Sequence, residues 1–236
     1  MNLKFFIPFM LFFICSESMS ENKINEKVIE DYILNNPEII IKSLRAYEEM
    51  TEKKNQEELK LIIKQNIKKL IKTNAYAYTG KADSELIVVE FLDYNCGYCK
   101  KAHNELLKLL KEDSEIKIVY RNLPILSQNS MQIAKISTSI GLLNNRDFNK
   151  FHDFLLSSRK LPDDKKIRGF IEEIGLSFNE ILKSSNSEEV QEIINRDIEM
   201  ANLLNIKGTP AFLIGNELVT GYVSKNILKS LVYDQQ

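Results

Sequence analysis

Two cysteines stand three positions apart in the run FLDYNCGYCK, residues 91–100, where an apolar, β-branched segment gives way to a helical one. The preceding run, LIVVEFLDY, has the length and composition of a buried central strand. From about Cys96 to Leu110 a helix should follow, with Leu106, Leu107, Leu109 and Leu110 on its buried side. EIKIVYRNLP then reads as a second strand ended by Pro124. Strand, helix, strand makes a βαβ unit with the cysteines at its first seam.

A pair so placed can bind a metal, staple the fold or carry out redox chemistry. A structural zinc site needs four ligands, and this chain adds only His103 and His152. His103 follows Cys99 by four residues on the same helix, although a histidine on an exposed helix face is the commoner arrangement. A disulfide closing so small a loop adds little stability. Redox chemistry has the better physical support. At the start of a helix the first cysteine meets unpaired backbone N–H groups and the positive end of the helix dipole, which favour a thiolate. Cys96 is then the nucleophile, and Cys99, one turn deeper, resolves the mixed disulfide.

The N-terminus opens MNLKFFIPFMLFFICSESMSEN, with Lys4 ahead of an apolar run from Phe5 to Ile14 and then small polar residues. This reads as a secretory signal over residues 1–20, cleaved after Ser18 or Ser20, and its apolar run is too short to span a bilayer. Cys15 leaves with it, so the mature chain keeps one cysteine pair in an oxidising compartment. Lipidation of Cys15 is disfavoured by the bulky Phe12 and Ile14. Over 236 residues the formal charge is −1, so nothing draws the whole molecule to nucleic acid.

Residues 21–73 read as a helical arm: a short helix, a stop at Asn36, and a long helix entered at Pro37. Ile40, Leu44 and Tyr47 form one apolar stripe and Leu59, Ile63, Ile67 and Leu70 another, with the polar TEKKNQEE (51–58) between them. The arm either packs on its own domain or buries its stripe against other subunits. NAYAYTGKADSE suits a linker or turn. Helix-period segments fill about residues 127–204, after which TPAFLIGNELVTGY predicts two short strands joined at Gly215-Asn216, and SKNILKSLVY a last helix.

The strand-CGYC-helix unit, the helical insertion and GTPAF (208–212), in that order, resemble the DsbA family, and the resemblance covers about residues 75–236. VIEDYILNNPEIIIKSL ahead of it looks like the ScsC branch and the related Com outer-membrane proteins, which carry an extra helical arm. The resemblance implies an α/β, thioredoxin-like fold over 74–236 with a large helical insertion, preceded by the arm. It implies that Pro210 is a cis-proline against the redox pair and that Thr209 presents its backbone to substrate. Gly97 and Tyr98 would set the redox poise. Glu90, on the strand, matches a buried acid that exchanges protons with Cys99.

The resulting expectation is a periplasmic thiol-disulfide oxidoreductase, oxidase or isomerase, acting on protein thiols and disulfides. The redox-active disulfide Cys96–Cys99 would be its only cofactor, with no metal. A membrane partner of DsbB or DsbD type, a homo-oligomeric assembly and an outer-membrane association fit the same resemblance. The alternative is a non-enzymatic surface protein that uses a thioredoxin-like domain for binding.

Overall fold

The computed structural model describes residues 26–71 and 77–234, so the expected signal segment and Cys15 lie outside the described residues. Helices α1 (Glu26–Asn35) and α2 (Pro37–Ile71) meet at Asn36, where Pro37 starts the second helix without a backbone N–H to satisfy. The chain divides into two compact units between Lys53 and Lys54, inside α2. In the first unit no described residue is buried, and Val28, Tyr32, Leu34, Leu44 and Tyr47 are each more than half exposed, at 61, 58, 71, 56 and 62%.

The second unit is built on a five-stranded sheet of order β1-β3-β2-β4-β5, formed by β1 (Tyr78–Gly80), β2 (Leu86–Leu92), β3 (Ile116–Asn122), β4 (Ala211–Ile214) and β5 (Glu217–Thr220). β2 and β3 run parallel, as the helical crossover α3 (Gly97–Glu112) requires, and the other pairings are antiparallel. The Gly215-Asn216 hairpin forms as the sequence predicts, with Gly215 at φ 55°. Tyr78–Gly80 departs from the expected linker. It is an edge strand on β3, and a side chain at Gly80 would strike the Ile116 carbonyl.

Strand alternation gives the sheet two apolar faces. Val88 and Leu92 face a core built with α3, α4 (Ser130–Leu143), α5 (Asn145–Ser157), α6 (Asp164–Glu173) and α7 (Phe178–Ser185). Val89 and Phe91 face a second core with Ile63 and Leu70 of α2 and with Ala201 of α8 (Glu188–Leu203). The distal stripe of α2 is therefore part of the second unit's core. α4 to α8 make up the helical insertion, and α9 (Lys225–Tyr233) closes on α3 through the bonds of Lys225 to Glu105 and Glu112. On α3 itself Leu106 and Leu109 are buried, while Leu107 and Leu110 are only half-buried, because a three-and-four spacing can seat just one of each adjacent pair.

Candidate active site

β2 ends at Leu92, and four residues reverse the chain into α3. Asp93 organises that reversal from a buried position. Its carbonyl accepts from the Cys96 N–H at 2.9 Å, one carboxylate oxygen accepts from the Asn95 N–H and the Ser130 hydroxyl, and the other accepts from the N–H groups of Ile125 and Leu126. One acid thus fixes the cysteine turn and the loop after β3 together. The sequence carries a weak signal for it, since Asp followed two residues on by a turn is an Asx motif.

Cys96 occupies the N-cap of α3, and its sulfur accepts the Cys99 backbone N–H at 3.3 Å. A sulfur here does what a serine or aspartate oxygen usually does, so charge on it is stabilised by the helix terminus. As a thiol it donates to the Thr209 carbonyl at 3.2 Å. The Cys99 thiol, with the backbone N–H groups of Cys99 and Tyr98, outweighs burial and lowers the Cys96 pKa to about 5. Cys99 is the opposite case. It is fully buried, and burial first, then its bond to the Cys96 sulfur, push its thiol far up. Both thiols are free, and Cys96 is the more exposed at 4% against 0%.

The Thr209–Pro210 bond is cis, and the Thr209 carbonyl meets Cys96 across 113 positions of the chain. Gly97 is open on its Cβ side, and Tyr98 stands 59% exposed with Lys101 over its ring at 5.0 Å. Glu90 is fully buried on the cysteine side of the sheet, and neither carboxyl oxygen has a hydrogen-bond partner among the described residues. Its strand neighbours are Tyr120 and Phe212, which offer no cation. Burial first, and then charge on Cys96, raise its pKa well above the carboxylate range.

Composition did not reveal two further features. Lys100, next to Cys99, is buried and donates to the Leu155 carbonyl at 2.7 Å, and burial lowers its pKa. His103 is not on an exposed face: it is buried, donates from Nε2 to the Asp153 carboxylate at 2.9 Å, and lies edge-on to His152. His152 in turn bonds the Tyr94 hydroxyl, which also bonds Ser137. The histidines thus belong to the α3–α5 packing. Among the described residues no group of three or more His, Cys, Asp and Glu side chains could hold a metal ion.

A family model described as the DSBA-like thioredoxin domain matches residues 87–232. The chain belongs to this family. The thiol-disulfide exchange protein alpha-DsbA2 from Wolbachia pipientis superposes with a TM-score of 0.69 at 29% identity, covering 77% of this chain and 97% of that one. A linker-deleted ScsC of Proteus mirabilis shares the fold over 89% of this chain and 92% of its own, with a TM-score of 0.68 and 22% identity. The probable disulfide bond formation protein D of Bacillus anthracis is 25% identical over 153 residues, 59% of this chain and 69% of that protein. A Na(+)/H(+) antiporter NhaA 1 from Salinispora arenicola is 23% identical over 153 residues, 65% of this chain, but the chain spans only 24% of that protein's length.

Proposed function

We propose that this chain is a periplasmic thiol-disulfide oxidoreductase that acts on protein substrates through Cys96 and Cys99 without a metal or organic cofactor. The observation that carries the reading is the Cys96 sulfur as helix cap, acidified by the groups around it, with a deeply buried partner thiol one turn behind. The Cys96 thiolate attacks a substrate disulfide, forming a mixed disulfide and releasing one substrate thiolate. Cys99 then loses its proton and attacks the Cys96 sulfur. The products are the Cys96–Cys99 disulfide and a second substrate thiol, a two-electron exchange, and the reverse sequence oxidises a substrate dithiol.

Glu90 serves the second step. Charge on Cys96 helps keep its carboxyl protonated. When that charge is spent in the mixed disulfide, Glu90 ionises more readily, just when Cys99 must release a proton. Thr209 offers its backbone to the substrate chain.

Residues 26–53, with their exposed apolar side chains, are the means of homo-oligomerisation. Several redox sites on one assembly hold a substrate for repeated exchange, which favours isomerisation and a reducing membrane partner of DsbD type over net oxidation through a DsbB-type partner. Insulin reduction tests the core of the reading: the protein should speed precipitation of the B chain, and Cys96→Ala should not. In cells Cys99→Ala should accumulate protein mixed disulfides and Cys96→Ala none. Equal trapping by both variants would overturn the assigned roles.

A further inference from the structure

Beside the redox turn lies a groove of about 900 Å³ that the exchange chemistry does not use. Asn95 and Gly97, which flank Cys96, form one wall, and Phe154, Ser158 and the segment from Arg159 to Asp164 form the other. A chain bonded to the Cys96 sulfur therefore has this groove directly alongside. The helical insertion builds the far wall, where Phe154 stacks flat on Phe170 at 4.1 Å.

The groove is basic. Lys100, Arg159, Lys160 and Lys166 line it, opposed by the carboxylates of Asp163 and Asp164. Asp163 is already engaged, as the N-cap that accepts the Lys166 N–H. Arg159, Lys160 and Lys166 are exposed and pair with no acid among the described residues. Lys100 spends one N–H on Leu155 and keeps two. The whole chain carries −1, so this local excess is not a general bias of the protein. The N-terminus of α3 adds positive potential on the same side.

We propose that this groove selects protein substrates in which acidic residues flank the reactive cysteine, their carboxylates lying along Arg159, Lys160 and Lys166. The proposal rests on the oxidoreductase reading and gives it a substrate class.

Two peptides test it, each with one pair of cysteine thiols and identical except for glutamates or lysines around the first cysteine. Protein carrying the Cys96–Cys99 disulfide oxidises each: two electrons and two protons pass from the peptide dithiol to the protein, leaving a peptide disulfide and two protein thiols. Each rate is divided by the same peptide's rate with a small neutral disulfide, which removes differences in intrinsic thiol reactivity. The glutamate peptide should be faster by about 10-fold at low salt, and the ratio should shrink towards one near 0.5 M salt. R159Q/K160Q should narrow the ratio at low salt. Equal normalised rates, a faster lysine peptide, or an unchanged ratio in R159Q/K160Q would overturn the groove while leaving the redox reading intact. Oxidation of neither peptide would overturn the redox reading, and the substrate class would fall with it.

Discussion

A sulfur placed as a helix cap inherits the electrostatics of that position, and Cys96 shows what this does to a thiol. Its ordinary value of 9.0 falls to about 5 in the folded, reduced protein. Thiolate absorbance should therefore titrate near 5, against roughly 8.5 for a free cysteine, and a midpoint at the free value would sink the mechanism. The sign for stability follows. A depressed folded value stabilises the reduced form at pH above the unfolded value, and that contribution fades as pH falls through about 5. Glu90 runs the other way. Its folded value is raised, so its ionisation adds no cost to folding well below 4.5 and progressively more as pH climbs above that. Glu90→Gln should raise the Tm at neutral pH and leave it unchanged well below the carboxylate range. The same variant should slow resolution of a mixed disulfide on the order of 10²-fold at neutral pH, read by rapid acid quench and alkylation of the free thiols. A variant of unaltered rate would remove Glu90 from the proton path.

At the scale of elements, what the sequence made legible depended on how local the cause was. β2, α3 and β3 are set by apolar runs and spacing within a few residues, so the redox seam could be read directly. The three residues of β1 have no such pattern. They are a strand only because β3 offers an edge, with Tyr78 opposite Val119. The Arg121–Asp197 pair escaped for the same reason, its partners being 76 positions apart. Arg121 reaches Asp197 at 2.7 Å and also donates to the Lys69 and Leu70 carbonyls, the last turn of α2, while Asp197 accepts the Asn122 N–H. Burial raises the Asp197 pKa in spite of the arginine, so the pair positions α2 more than it stabilises the fold. Removing one partner is another matter, because it strands a buried charge. Arg121→Leu should cost roughly 3–5 kcal/mol in urea unfolding. Hydrogen exchange should quicken first in the last turns of α2. A loss below about 1 kcal/mol would show that water replaces the guanidinium at this site.

At the scale of the molecule, the two stripes of the long helix have separate fates. The polar run TEKKNQEE contains the boundary between the two units, at Lys53 and Lys54. The first stripe, on the first unit, is exposed, whereas Ile63 and Leu70 are 0% exposed in the core that also holds Val89 and Phe91. An arm cut at residue 73, as the sequence reading alone would place it, removes both of these side chains. Each loss should cost on the order of 2–5 kcal/mol, by the usual penalty for emptying a packed site. A cut at 53 removes no described residue that is buried. Deleting 21–53 should therefore give a folded, soluble monomer that still exchanges disulfides with small dithiols, and deleting 21–73 should give a protein with a sharply lower urea midpoint. Light scattering on the full chain should report an oligomer at micromolar concentration and a monomer after the shorter deletion. Recovery of a scrambled substrate should fall with the loss of assembly, while insulin reduction persists, because only repeated exchange needs several sites near one substrate. A full-length monomer would refute the oligomeric arm, leaving the exposed residues of the first unit to a different partner. A shorter deletion that lost insulin reduction would instead move the boundary of the catalytic unit into α1 or the first half of α2.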